Sequence, residues 1–124
     1  MRRLAVALVA ALALVSCGGE GGEENGAAAG DEVTLKKFDN RFENTEIEIP
    51  AGGSVSFVGA GRNPHNAVAA DGSWSTETDF GSLEQHDGDL ATLTFNTPGT
   101  YTFFCTFHGS GNGAGMAGTL VVGG

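Results

Sequence analysis

The sequence of 124 residues predicts an all-β fold, a Greek-key β-sandwich of seven to eight strands that occupies residues 33–124. Three observations predict this class. Apolar residues alternate with polar ones in short runs, which is the period of a half-buried strand. Turn sequences rich in glycine, proline and asparagine separate those runs. No window of eleven residues carries an apolar stripe at helical spacing.

The first element is an export signal over residues 1–16. Arg2 and Arg3 precede an apolar run over residues 4–15, and small residues follow. The sequence LVS directly before Cys17 resembles the lipobox of bacterial lipoproteins, in which the cysteine is lipidated and becomes the mature N-terminus. The run is shorter than the ~20 residues of a membrane span, and a retained transmembrane helix is the alternative. We expect export and anchoring through a lipid on Cys17, facing the periplasm or the cell exterior.

A flexible acidic tether is predicted over residues 17–32. After Cys17 it consists mainly of glycine, alanine and acidic residues, without aromatic or large aliphatic side chains. Removing residues 1–16 takes two arginines and no acids, and so leaves four basic and fifteen acidic residues, a formal charge of −11. Such a charge disfavours nucleic acid as a partner, so we expect no nucleic acid partner, and we expect a monomer.

The strands of the domain at 33–124 are predicted in order from apolar residues two positions apart. These pairs are Val33 and Leu35, Ile47 and Ile49, Val55 and Phe57, Leu93 and Phe95, and Tyr101 and Phe103. A final strand is predicted over MAGTLVVG. Turns are predicted at residues 50–53, 60–64, 71–72 and 96–100.

The segment at residues 71–89 has the least regular pattern of the domain. It carries six acidic residues and neither lysine nor arginine. A one-turn helix within residues 73–88 is compatible with its sequence. The acids could steer a basic partner toward the protein or could belong to a solvated loop, and the sequence leaves both interpretations open.

The motif YTFFCTFHGSGNGAGMAG at residues 101–118 carries a cysteine, a histidine and a methionine. Cys105 is predicted to end one strand and Met116 to begin the last, so that one glycine-rich hairpin presents all three side chains. If Cys17 is lipidated, Cys105 is left as a lone thiol, which in an oxidising compartment needs burial or a bound partner. A disulfide between Cys17 and Cys105 is the alternative.

Thiolate, imidazole and thioether groups together favour copper, because two histidines and one cysteine with a weak axial methionine form an electron-transfer copper site. His65 follows Pro64 at the end of a rigid turn and is a candidate for the second imidazole. Zinc bound by one cysteine and two histidines is an alternative. His86 has acidic, irregular neighbours and is predicted to be a surface residue, and Trp74 is predicted to pack in the core.

The sequence PHN at residues 64–66, together with YTFFC, His108 and GAGMAG, resembles the plastocyanin-like small blue copper proteins, or cupredoxins, over about residues 45–124. The resemblance implies a cupredoxin-like fold in which Asn66 ties the two ligand loops together. It also implies one copper ion per chain, bound by His65, Cys105, His108 and Met116. The chain departs from the family pattern at Phe107, where a proline is usual, and in its longer gap between His108 and Met116.

On this basis we expect a one-electron carrier rather than an enzyme, shuttling electrons between a redox donor and a redox acceptor. His108 is the expected electron port, since the small residues after it cannot cover the edge of its ring. A copper storage or delivery protein is the alternative function. A purely structural sandwich would explain the strands but not the four ligand residues together.

Overall fold

Two β-sheets, of five and four strands, pack face to face in the computed structural model, which describes residues 27–124. The predicted signal at 1–16, the predicted lipid anchor Cys17 and most of the predicted tether lie outside the described residues. Within residues 27–124, no helix has both the length and the apolar character needed to cross a membrane.

The chain forms nine strands and one helical turn over the described residues. In chain order they are β1 (Ala27–Ala29), β2 (Glu32–Phe38), β3 (Arg41–Phe42), β4 (Glu46–Pro50), β5 (Gly53–Gly59), β6 (Val68–Ala69), α1 (Glu77–Phe80), β7 (Leu90–Phe95), β8 (Gly99–Gly109) and β9 (Gly115–Gly123). The larger sheet has the order β1-β4-β9-β8-β6 and the smaller one the order β3-β2-β5-β7.

The strand order confirms the predicted Greek-key β-sandwich. Neighbours such as β4 and β9, or β2 and β5, are distant in sequence and pair in parallel, whereas β8 and β9 form an antiparallel hairpin. Over residues 27–124 the count is nine rather than seven to eight, and three of the nine, β1, β3 and β6, are only two or three residues long, too short to display alternation. Strand β1 lies inside the range predicted as tether and pairs with β4.

The core lies between the sheets and is filled by the inward residues of the alternating strands. Phe103 meets Phe42 edge to face, with ring centroids 4.9 Å apart. Trp74 packs against Phe95 at 5.0 Å and against Phe57 at 5.9 Å, which confirms its predicted packing role. Burial of each large apolar side chain contributes roughly 1.5–3 kcal/mol, so these rings hold the two sheets together.

The helical turn α1 lies inside the irregular segment at residues 71–89, where a one-turn helix was predicted within residues 73–88. It spans Glu77–Phe80 and ends at Gly81, whose φ of 92° is the left-handed conformation that glycine adopts without strain. Its two acidic residues, Glu77 and Asp79, are exposed.

Strand β8 extends further than the sequence predicted. We expected it to end at Cys105, but it continues to Gly109, with its pairing to β9 interrupted between Phe104 and Gly109. In the interruption the N–H of Thr106 donates to the side chain of Asn66 instead of to β9. Cys105 and the residues after it are thereby released from regular pairing. At Gly109 the two strands approach closely again. The approach is so close that a Cβ at this position would collide with the carbonyl of Met116, and only glycine fits there.

Candidate metal centre

His65 is held at the end of the β5–β6 connection by backbone pairing. Its N–H donates to the carbonyl of Gln85 at 3.0 Å, and the N–H of Gln85 donates back at 3.1 Å. The imidazole is fully buried, and its Nδ1 lies 3.8 Å from the Sγ of Cys105. Burial lowers the pKa of His65, which keeps the ring neutral and its nitrogen lone pair available to a metal.

The carboxylate of Asp39 sets the orientation of the His65 ring. Its Oδ1 lies 2.9 Å from Nε2 of His65, and the carboxylate also accepts the backbone N–H groups of Asn63 and Arg62. These bonds, that of Asn63 first, lower the pKa of Asp39 to about 2. The charged carboxylate therefore keeps the proton of His65 on Nε2, and Nδ1 faces Cys105 as an acceptor.

Cys105 and His108 complete a cluster of three donor atoms. The Sγ of Cys105, which is fully buried, lies 3.7 Å from Nδ1 of His108, and the rings of His65 and His108 have centroids 4.8 Å apart. The three donor atoms all lie within 4.8 Å of one another.

The sulfur–nitrogen separations of this cluster fit a bound metal ion. Bonds of about 2.3 Å to thiolate and about 2.0–2.1 Å to imidazole, arranged at 120°, would place sulfur and nitrogen about 3.8 Å apart. The observed separations of 3.8 and 3.7 Å match this value on both sides of Cys105. The donor set of two imidazoles and one thiolate is also the set that copper electron-transfer sites use.

Met116, the fourth predicted residue, lies at the start of β9. Its side chain is buried, and its backbone packs against Gly109, the residue after His108. The glycine before it, Gly115, has a φ of 73°, which allows the tight entry into the strand. The hairpin thus brings Met116 close in space to the segment that carries His108.

Asn66 joins the two segments that carry the cluster, as the family resemblance implied. Its side-chain amide donates to Oγ1 of Thr106 and to the carbonyl of Leu83, both at 2.9 Å. Its carbonyl accepts the N–H of Thr106, also at 2.9 Å. Because Asn66 is fully buried and follows His65, while Thr106 follows Cys105, these bonds fix one ligand segment against the other.

The side of the cluster that faces solvent is formed by His108 and Phe107. Cys105 and His65 are fully buried, whereas the ring of His108 is partly exposed. Phe107 is 45% exposed, in contrast to the buried rings of the core. This aromatic residue replaces the proline of the family pattern and adds apolar surface beside His108.

His86 does not join the cluster. It is exposed, and its N–H donates to Asp89 at 2.8 Å, which confirms the prediction of a surface residue. The other acids of residues 71–89 are exposed as well, and some of them bond to their own loops: Asp71 accepts from Ser73. Docking of a basic partner on this stretch stays a prediction.

Two functional neighbours of the cluster, Asp39 and Lys37, were missed at the sequence level. Lys37 is fully buried, and its Nζ donates to Oε1 of Gln85 at 3.0 Å. The sequence did indicate that Lys37 faces inward, since Lys37 continues the alternation of Val33 and Leu35. Asp39 carried no comparable signal, because its role depends on a bond to a residue 26 positions away.

The family model of copper binding proteins of the plastocyanin/azurin family matches residues 29–123. The plastocyanin of Dryopteris crassirhizoma is 36% identical over 103 residues, which cover 75% of this chain and 94% of that protein. The plastocyanin of Prochlorothrix hollandica is 35% identical over 89 residues, 69% of this chain and 66% of that one. The chain spans only 54% of the chloroplastic plastocyanin of Hordeum vulgare.

Solved structures agree with these matches. A mutant fern plastocyanin superposes with a TM-score of 0.56 at 31% identity, covering 72% of this chain and 98% of that one. A reduced amicyanin mutant gives a TM-score of 0.55 over 73% of this chain and 80% of that one, and at 22% identity it supports the fold alone. The chain belongs to the plastocyanin/azurin family of copper binding proteins.

Proposed function

We propose that His65, Cys105 and His108 bind one copper ion in a trigonal arrangement, with Met116 as a weak axial ligand, and that the protein carries single electrons. The observation that carries this proposal is the pair of sulfur–nitrogen separations on either side of Cys105, which fit a metal ion bound by thiolate and imidazole. When bound, copper supplies the one-electron couple. The chain itself positions the ligands, buries most of the site and leaves His108 partly exposed.

Hydrogen bonds from residues outside the donor set fix the positions of two of the ligands. Asp39 fixes His65, and Asn66 fixes the segment of His65 against that of Cys105. A site whose ligands need not move suits both oxidation states of a carrier, because little reorganisation accompanies electron transfer. Full burial of Cys105 and His65 also excludes water from most of the site.

His108 is the proposed route by which electrons enter and leave. It is only partly buried, whereas Cys105 and His65 are fully buried, and Phe107 extends an apolar surface beside it. A small surface of this kind suits brief encounters with a donor and an acceptor, which are typical of redox partners. We propose a carrier without enzymatic activity, in which copper supplies the electron couple and the chain supplies the ligands and the surface at which redox partners dock.

Storage or delivery of copper is the competing function, and the buried ligands weigh against it. A site that releases its ion readily needs accessible donors, whereas here two of the three are fully buried. The two functions separate in one experiment. The copper-loaded protein is cycled between oxidised and reduced states while an external chelator competes for the ion. A carrier retains copper through repeated cycles and restores its visible band each time, and loss of copper on each reduction favours storage.

For the N-terminus we propose export, cleavage before Cys17 and attachment of a lipid to that cysteine. Residues 18–26 would then separate the lipid from β1, which begins at Ala27. Mass spectrometry of the protein extracted from membranes tests this proposal. The expected mass is that of a chain beginning at Cys17 with an added lipid, and a soluble chain that retains residues 1–16 would contradict it.

A further inference from the structure

A charged side chain points into the interior of the sandwich close to the proposed copper site. Val33, Leu35 and Lys37 are the inward residues of β2, and all three are buried. Lysine is almost never fully buried unless it is paired, because removal of its charge from water is costly. Lys37 therefore occupies a position that the alternation of β2 would assign to an apolar residue.

The bonding partner of Lys37 connects it to a copper ligand. Its Nζ donates to the neutral amide oxygen of Gln85 at 3.0 Å, and Gln85 also donates to the carbonyl of Ser82 at 2.7 Å. The backbone of Gln85 pairs in both directions with that of His65. The ammonium group of Lys37 is thus linked to the segment that carries His65 through a single residue, Gln85.

Lys37 interacts electrostatically with two of the proposed copper ligands, Cys105 and His65. Burial lowers the pKa of Lys37 to about 8, and the negative charges of Cys105 and Asp89 act in the opposite direction. Lys37 is also one of the groups that lower the pKa of His65. The lysine is mostly protonated at neutral pH, and its charge acts on both ligands through the protein interior rather than through water.

We propose that Lys37 is a buried cation that raises the reduction potential of the copper site by acting through space on Cys105 and His65. The inference rests on the proposed electron-carrier function. Reduction adds one electron from a one-electron donor protein and lowers the net charge of the site by one unit. A nearby positive charge favours the more negative state, and the low-polarity interior strengthens this effect.

The test compares two lysines that are adjacent on β2. Lys37→Met removes the buried charge and keeps an unbranched side chain of similar length. Lys36→Met removes the same charge from the opposite, exposed face of the strand, where solvent screens it. The reduction potential and the visible spectrum of each copper-loaded protein are measured by spectroelectrochemistry at neutral pH.

For Lys37→Met we expect the equilibrium with a fixed reference couple to shift by about tenfold or more toward the oxidised form, with the visible band unchanged. For Lys36→Met we expect a much smaller shift. An unchanged potential in Lys37→Met overturns the proposal. A visible band that moves together with the potential also overturns it, since Lys37 would then act by placing the ligands.

A second measurement uses the unmutated protein and so does not depend on the folding of a variant. The titratable groups that act on Lys37 are Cys105, Asp89 and His65. Copper binding holds Cys105 as a thiolate and His65 as a neutral imidazole, so the charges of these two ligands do not change with pH in the copper-loaded protein.

The potential should therefore fall as pH rises from about 7 to about 10, through the pKa of Lys37, and should be flat in Lys37→Met. A flat profile in both proteins contradicts the proposal. If the proposed electron-carrier function itself is wrong, the unmutated protein shows no copper band at all. That result would overturn both the proposed function and the role of Lys37.

Discussion

Nε2 of His65 lies 2.9 Å from Oδ1 of Asp39, at the end of β2. The same carboxylate accepts the backbone N–H groups of Arg62 and Asn63, so one side chain fixes both the loop that leads to His65 and its ring. The proton of the imidazole is held on the side of Asp39, and the other nitrogen is left free toward Cys105. The orientation of this proposed ligand is thus set by Asp39, a residue outside the donor set.

Asp39→Asn should weaken copper binding by about 10–100-fold, the usual loss when the carboxylate partner of a histidine ligand is removed. The reduction potential should rise, because a negative charge near the site is removed. Both are measured on the copper-loaded protein, by competition with a chelator and by spectroelectrochemistry. Asp31→Asn, which removes an exposed carboxylate that precedes β2, is the control. Equal affinities for the two variants would show that Asp39 does not position His65.

Asn66→Ala should lower the free energy of unfolding of the metal-free protein by about 1–3 kcal/mol, because the hydrogen bonds of the buried Asn66 side chain to Thr106 and Leu83 are lost. Urea unfolding measures this as a lower midpoint at constant slope. The copper-loaded variant should also release its ion faster, since the two ligand segments are no longer joined. Asn96→Ala, at an exposed turn position, should change neither quantity. A variant as stable as Asn96→Ala would contradict the proposed link.

Met116→Leu should leave a coloured, copper-loaded protein with a raised reduction potential. Leucine nearly conserves the volume of the buried side chain, and an axial thioether is a weak, long contact whose loss disfavours the cupric state. His108→Ala, which removes an equatorial ligand, should instead abolish or grossly alter the visible band. If Met116→Leu changes neither spectrum nor potential, Met116 is not the axial ligand, and the three-residue core of the site still stands.

The stability of the metal-free protein should depend on pH through His65. Burial holds the pKa of His65 below its ordinary value of 6.5 in the folded protein. As pH falls below about 6.5, the unfolded chain binds a proton at this residue before the folded protein does, so the free energy of unfolding decreases. Above about pH 6.5 neither state is protonated there, and the contribution is constant.

Thermal unfolding of the metal-free protein between about pH 5 and pH 8 measures this dependence. His65→Gln should reduce the loss of Tm toward acid pH, whereas His86→Gln, which removes an exposed histidine, should preserve it. A profile for His65→Gln that parallels the unmutated protein would show that His65 is not buried in its neutral form.

Much of the fold could be predicted from the sequence because the long strands carry a period of two. Val33 and Leu35, or Val55 and Phe57, face the core as their alternation required. The strands β1, β3 and β6 could not be found in this way, since two or three residues form a strand only when a neighbour pairs with them.

The cluster of His65, Cys105 and His108 could be predicted because its chemistry depends on residue type, and the short spacing from Cys105 to His108 is local. The residues around it depend on tertiary contacts. Asp39 reaches His65 across 26 positions, and the path of β8 beyond Cys105 follows from a bond to Asn66. The alternation of β2 predicts that Lys37 faces inward, but lysine side chains are mostly exposed, so its burial was not expected from the sequence.

The measurement that tests the account most directly is a titration of the metal-free protein with cupric ion, followed by visible absorption. We predict an intense blue band from the bond between the Cys105 thiolate and copper, rising to a sharp end point at one ion per chain. The band should disappear on reduction, return on oxidation and be absent from Cys105→Ser. A blue band of equal strength in Cys105→Ser, or no band in the unmutated protein at one equivalent, would contradict the assignment of this site.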